Sequence, residues 1–193
     1  MIADCTALIL AGGDSSRMGQ DKANLLLDGE TLLQRVMTGM QQLFPKVIVS
    51  VRQPRAEVSL PQVSDGHEDG GPLAGLVAGL AQVETDWMFA VACDMPFIQS
   101  AIIVHMAVLR AEQQAVVPTI GGHPQPLFAF YSKQALPVMR AALASGEKRV
   151  RAVLKQLDVR YVHEEELREY DPQFRSFFDL DTPQDHAAAQ ELK

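Results

Sequence analysis

The chain has 193 residues, a hydrophobic fraction of 47% and a formal net charge of -7. That length suits a single α/β domain with a sizeable core, spanning residues 1–193. The acidic balance, with no block of Lys or Arg, argues against a nucleic-acid polymer as partner, because phosphate neutralisation needs a basic surface. Cys5 and Cys93 have a spacing that fits no metal knuckle or redox pair, and read as reduced thiols. No apolar run approaches bilayer length, and the first is too short for a signal core, with Asp4 where positive charge is needed. A soluble, cytoplasmic protein without a membrane partner is expected.

In chain order, Thr6 to Leu10 reads as a buried strand. It empties into Ala11-Gly12-Gly13-Asp14-Ser15-Ser16-Arg17-Met18-Gly19-Gln20-Asp21-Lys22. Adjacent glycines let backbone N–H groups approach a ligand, and successive N–H groups in such a turn form an anion-binding concavity. Arg17 can grip phosphate oxygens with its fork, and Lys22 adds a point charge. Those are the needs of a nucleoside triphosphate. The loop is not a P-loop, because Gln20 and Asp21 separate Gly19 from Lys22; nor is it a dinucleotide fingerprint, because Gly12 and Gly13 are adjacent.

Asp28-Gly29 predicts a turn, and Thr31 with Gln34 a capping box for a helix whose inner face is Leu32, Val36, Met40 and Leu43. Val47 to Val51 reads as the second strand, and Gln53 to Gly71 as mainly loop with a short strand near Val58 to Val63. Pro72 opens a small-residue helix, and Trp87 to Ala92 is the most continuous apolar run, as a central parallel strand requires. Ser100 is a candidate cap for a helix reaching about Glu112. Val116-Val117 and Leu127 to Tyr131 predict antiparallel strands around Gly121-Gly122. Ser132 is placed as cap of a helix to Ala144. Glu147 to Leu157 reads as a helix carrying Arg149 and Arg151, Val159 to Val162 and Phe177 to Leu180 as strands, and Pro183 to Leu192 as the last helix. The alternation predicts an α/β fold with a mostly parallel, Rossmann-like sheet covered by helices on both faces.

Asp94 follows the most apolar strand at its C-terminal end, where ligands of open α/β sheets bind. It can hold Mg²⁺ through oxygen, or cap the turn into the next helix. Asp181-Thr182-Pro183 can supply a second carboxylate, with Asp179 as the other candidate, or simply start the last helix. His123-Pro124-Gln125-Pro126 is a rigid group in which His123 is a candidate general base, and His67, His105, His163 and His186 show no zinc spacing.

The loop resembles the signature of the molybdenum cofactor guanylyltransferases, the pterin-linked branch of the small nucleotidyltransferases: Leu10 to Gly13, Arg17 to Gly19, Asp21 and Lys22. Gly71-Pro72-Leu73-Ala74-Gly75, Cys93-Asp94-Met95-Pro96, His123 to Pro126 and Asp181-Thr182-Pro183 extend the resemblance over nearly the whole chain. It implies a three-layer α/β/α nucleotidyltransferase fold. It implies transfer of GMP from GTP to the terminal phosphate of molybdopterin, or of Mo-molybdopterin, with release of pyrophosphate. By the same resemblance, Leu10, Ala11, Gly12 and Gly13 read guanine, Arg17 and Lys22 hold the triphosphate, and Asp65 lies near the ribose. Asp94 and Asp181 would bind Mg²⁺, the Cys-Asp-x-Pro aspartate being the family's metal ligand. A protein that delivers or inserts the cofactor is a candidate partner.

Two departures and one further match stand out. Both Asn of the family's Asn-x-Asn-Thr-Pro are Asp here, at Asp179 and Asp181. The family's Asn at the end of the second strand is missing, with Ser50 and Arg52 nearby. The family's Gly-Glu-x-Arg stretch appears as Gly146 to Arg149, where Arg149 and Arg151 could attract a second substrate's phosphate or form a solvated face. The rival cytidylyltransferases, which use CTP, usually read Leu-Ala-Ala-Gly where this chain has Leu10 to Gly13. A non-catalytic nucleotide-binding assembly protein is the rival of another class, and the set Arg17, Lys22 and Asp94 argues against it.

Overall fold

The computed structural model describes residues 1–12, 21–64 and 70–191; Gly13, Arg17 and Asp65 lie outside the described residues. Within them the chain runs through β1 (Cys5–Leu10), β2 (Leu26–Leu27), β3 (Glu30–Thr31), α1 (Leu32–Leu43), β4 (Lys46–Ser50), β5 (Gln62–Val63), α2 (Gly71–Gln82) and β6 (Trp87–Ala92). It continues through α3 (Ser100–Val108), β7 (Ala115–Ile120), β8 (His123–Pro124), β9 (Phe128–Ser132), α4 (Leu136–Ala144), α5 (Val150–Leu154), β10 (Val159–Val162), α6 (Glu164–Leu167) and α7 (Pro183–Glu191).

The main sheet has the order β10-β7-β9-β6-β1-β4-β5, with β8 paired to β7. β1 is parallel to both β4 and β6, while β9 runs antiparallel to β6 and β7. The expected mostly parallel sheet is therefore present. Side chains along a strand alternate between faces. Cys5, Ala7 and Ile9 of β1 and Phe89 and Val91 of β6 join one core with α1, α3 and α6. Leu8, Met88 and Ala90 point to the other, under α2, α4 and α5. Burial on both faces explains why β1 and β6 are continuously apolar in sequence. On the first side Phe89 anchors an aromatic cluster, with ring centroids 4.8 Å from Phe130, 5.1 Å from Phe128 and 5.6 Å from Phe44. Such pairs add about 0.5–1.5 kcal/mol each beyond area burial.

Local signals hold at the first helix. Thr31 Oγ1 accepts from Gln34 N–H at 3.1 Å, and Gln34 Oε1 accepts from Thr31 N–H; Val36 and Met40 are buried with Leu43 packed beside them, while Leu32 is buried in a separate cluster with Leu27 and Leu180. The small residues of α2 let it lie directly on the sheet. A Cβ placed on Gly79 would stand 2.5 Å from Leu8 Cδ2, and one on Gly75 2.8 Å from Leu10 Cδ2 and Ser50 Oγ.

Elsewhere tertiary contacts move the predicted boundaries. Ser100 does not cap α3: Gln99 is the cap residue, and its N–H is held by Ser176 Oγ at 2.9 Å. α3 stops at Val108, and Arg110 folds back over its end, donating to Ala107 O at 2.9 Å and to Asp4 at 3.0 Å. Ser132 caps a short 3-10 turn, Lys133–Ala135, that precedes α4. The helix expected over Glu147 to Leu157 shrinks to α5. The Glu147 carboxylate accepts from the Lys148 and Arg149 N–H groups and holds that entry out of the helix. Near Val58 only Gln62–Val63 pairs as strand. Phe177 to Leu180 is not a strand. It begins inside a 3-10 turn, Arg175–Phe177; Phe177 packs on Phe128 at 5.0 Å and Phe178 on Phe97 at 6.1 Å.

Gly79→Ala is expected to push a methyl into Leu8 and to cost about 1–3 kcal/mol as overpacking. Urea unfolding should show a lower midpoint with an unchanged slope.

Candidate active site

Parallel pairing sets Leu10 opposite both Ser50 and Ala92. The ladder then extends one residue past the strand ends. Ala11 N–H donates to Ser50 O at 2.9 Å, and Cys93 N–H donates to Leu10 O at 3.1 Å. The chains leaving β1, β4 and β6 consequently start from one edge of the sheet, at its C-terminal side. They border a cleft of about 650 Å³. Leu10, Ala11, Gly12, Lys22, Asp94 and Asp181 all line it, so six of the sequence-predicted site residues are brought together.

The centre of the site is an ion triad. Lys22 Nζ donates to Asp94 Oδ2 at 2.9 Å and also to Asp181 Oδ1. The three residues come from the first loop, the β6 edge and the segment before α7. Burial opposes the ammonium charge, but the hydrogen bonds to Asp181 and Asp94 win, and the Lys22 pKa is held above its ordinary value. Lys22 is therefore a fixed cation at neutral pH.

The two readings of Asp181 turn out to be divided between neighbours. Thr182 caps α7: its Oγ1 accepts from Asp185 N–H at 3.2 Å. The Asp185 carboxylate returns the favour to Thr182 N–H at 2.8 Å and to Asp181 N–H at 3.2 Å. The Asp181 side chain is left for the cleft. Leu180 N–H donates to Asp94 O at 3.0 Å, which ties the two aspartate segments together. Asp179 also lines the cleft. Burial, then the charges of Asp94 and Asp181, raise its pKa to about 7. Among the described residues no group of three or more His, Cys, Asp and Glu is gathered as a metal cage. Asp94 and Asp181 instead share the Lys22 ammonium.

Cys93 is buried, and burial pushes its thiol up to about 12, so it is structural rather than a nucleophile. His123 sits exposed on β8 and does not line the cleft, whereas Gln125 and Pro126 do. Of the basic residues after α4, Lys148 and Arg151 line the cleft. Arg149 pairs with Glu147 at 3.0 Å and has an 81% exposed side chain. Ser50, Arg52, Gly71 and Pro72 also line the cleft.

A protein-family model described as the MobA-like NTP transferase domain matches residues 7–161. The chain belongs to this family. The transferase is 36% identical over 187 residues to a probable molybdenum cofactor guanylyltransferase of Pelotomaculum thermopropionicum, covering 96% of this chain and 91% of that one. It is 32% identical over 190 residues to the molybdenum cofactor guanylyltransferase of Vibrio cholerae, covering 96% and 91%. The crystal structure of molybdopterin-guanine dinucleotide biosynthesis protein A from Archaeoglobus fulgidus superposes with a TM-score of 0.87 at 26% identity, covering 96% of this chain and 97% of that one. The transferase is a nucleotidyltransferase by family and by fold. No helix among its described residues is long and apolar enough to cross a membrane.

Asp179 gives a pH test. Its raised pKa means that the folded chain keeps a proton which the unfolded chain releases near 3.8. The stability it contributes is full below that value and is lost as pH rises through about 7. In chelator, the melting temperature of Asp179→Asn relative to wild type should therefore climb between pH 5 and pH 8, as read by thermal melts.

Proposed function

We propose that this transferase moves GMP from GTP to the terminal phosphate of molybdopterin, or of Mo-molybdopterin, and releases pyrophosphate. The observation that carries the reading is the Lys22 ammonium held between Asp94 and Asp181 at the C-terminal edge of β1 and β6. The names borne by the curated relatives support guanine as the base. Leu10, Ala11 and Gly12 line the same cleft, and their backbone groups not spent in the strand ladder are the proposed reader of that base. Gly13, Arg17 and Asp65 keep the roles the resemblance implies.

The acceptor phosphate is already anionic, so the protein needs no nucleophile of its own. Its task is to align the acceptor for in-line attack at the α-phosphorus and to offset the charge that develops on the leaving pyrophosphate. Lys22 and Arg17 hold the triphosphate. Lys148 and Arg151 line the same cleft and suit the acceptor's phosphate. With Lys22 in place, Asp94 and Asp181 do not present two bare negative charges to an incoming triphosphate.

A divalent cation, taken to be Mg²⁺, fits the donor set. Asp94 Oδ2 and Asp181 Oδ1 are held together by the Lys22 ammonium, which an ion would replace as their partner, and hard carboxylate oxygens are what this ion prefers. Those two residues would hold it. When bound, it supplies charge neutralisation at the phosphate oxygens. We take the enzyme to act in the cytoplasm, with its product passing to proteins that deliver or insert the cofactor.

The test is pyrophosphate release from GTP in the presence of a pterin acceptor, with CTP and ATP as competitors. GTP should compete far better than either. Lys22→Ala and Asp94→Ala should each lose roughly 10²–10³ in turnover, the usual loss for one charge-stabilising contact. Near-wild-type turnover by either purified variant refutes its role. Chelation of divalent cations should abolish turnover, and Mg²⁺ should restore it.

A further inference from the structure

Arg55 lies between β4 and β5, in a stretch that reads as loop from sequence, yet its side chain is only 15% exposed. Its guanidinium reaches three acceptors. One amino group donates to Asp21 Oδ2, and the other donates to Glu57 Oε1 at 3.1 Å and to Asn24 Oδ1 at 3.4 Å. Asp21 is the cap, and Asn24 the last residue, of the 3-10 turn Lys22–Asn24. One cation therefore spans both ends of the turn that carries Lys22.

That turn is held from inside as well. The second Asp21 oxygen accepts from Ala23 N–H at 3.1 Å, and Asn24 N–H donates to Asp21 O at 3.0 Å. A single 3-10 turn has poor hydrogen-bond geometry and does not keep its shape unaided. Arg55 is itself anchored to the sheet. Its N–H donates to Gln62 Oε1 at 2.8 Å, and Gln62 Nε2 donates to Arg55 O at 2.8 Å and to Val58 O at 3.1 Å. Gln62 belongs to β5, which pairs with β4. A continuous series of contacts thus runs from the edge strand through Gln62 and Arg55 to the Lys22 turn, and from there to Asp94 and Asp181.

The physical need is plain. The Lys22 ammonium rides on a flexible four-carbon stem, so its aim depends on where its backbone is held. Misplacement of a reacting group by about 1 Å can cost roughly 10²-fold in rate. Arg55 does not line the cleft, whereas Asp21 does, and the pairing offsets a carboxylate that would otherwise repel a triphosphate.

We propose that Arg55 is a positioning residue for the nucleotidyl transfer. Through Asp21 and Asn24 it holds the turn that aims the Lys22 ammonium at the reaction centre. The inference rests on the reading of Lys22 as the group that holds the triphosphate.

The test is a set of double-mutant cycles on the full-length enzyme. They are read by kcat/KM for GTP with a pterin acceptor, by the affinity of a fluorescent GTP analogue, and by thermal melts. Arg55→Met should lower kcat/KM about 10- to 100-fold, the range for losing a charge-assisted hydrogen bond, with KM for the acceptor and the melting temperature nearly unchanged. Arg55→Lys should restore only part, since one ammonium cannot bridge both ends of the turn. Asp21→Asn keeps an oxygen to cap Ala23 but drops the charge, and should match Arg55→Met with no further loss in the double variant. In a Lys22→Ala background Arg55→Met should cost less than about threefold more, because coupled residues are not additive.

Wild-type kcat/KM in Arg55→Met overturns the proposal. So does an equal fold-loss in the wild-type and Lys22→Ala backgrounds, and so does a loss that merely follows a fall in melting temperature. The two readings separate cleanly. An impaired Lys22→Ala with an inert or additive Arg55→Met removes the positioning role alone. A fully active Lys22→Ala removes the role of Lys22 and the positioning role with it.

Discussion

Parallel pairing of β1 with β6 sets Leu10 opposite Ala92 and lets the bond from Cys93 N–H to Leu10 O carry the ladder past both strand ends. The loop bearing Lys22 and the edge bearing Asp94 then start from neighbouring points, although the two side chains are 72 positions apart in sequence. Strands in that position must be apolar on both faces, since cores lie above and below them. The polar groups of the site can appear only where the strands end. The sheet forces the chemistry to its rim.

At that rim the electrostatics are balanced by construction. Asp94, Asp179 and Asp181 would repel one another in a half-buried cleft, and burial with its two charged neighbours is what lifts Asp179 to about 7. Lys22 offsets Asp94 and Asp181, and Arg55 offsets Asp21. These pairs are partly buried, so they are screened less than surface pairs and fix geometry as well as charge. The C-terminal segment takes part as an equal. Thr182 and Asp185 build the start of α7, and that cap leaves the Asp181 carboxylate facing the cleft.

Much of this was legible in the sequence, for identifiable reasons. The capping box at Thr31 and Gln34, the continuous run at Trp87 to Ala92, and the glycines and alanines of α2 are local signals whose physics needs no distant partner. Failures came where a distant residue decides the outcome. Ser176 takes over the N–H before α3, Glu147 holds the entry of α5 open, and the Phe177 to Leu180 segment packs its rings and bonds Asp94 instead of joining the sheet. An apolar run that fills a gap in the core and one that pairs as a strand look alike in one dimension.

By itself the sequence determined the α/β alternation, the glycine-rich exit from β1, and the resemblance that named Lys22, Asp94 and Asp181 as site residues. Local propensity, hydrophobic period and motif spacing carry that information along the chain. Only the tertiary structure decided that one ammonium joins both carboxylates, that Lys148 and Arg151 rather than Arg149 face the cleft, and that Arg55 straps the Lys22 turn. Each of these is a contact between residues far apart in sequence or a choice of side-chain direction. Strand register and packing set such contacts, and no local pattern records them.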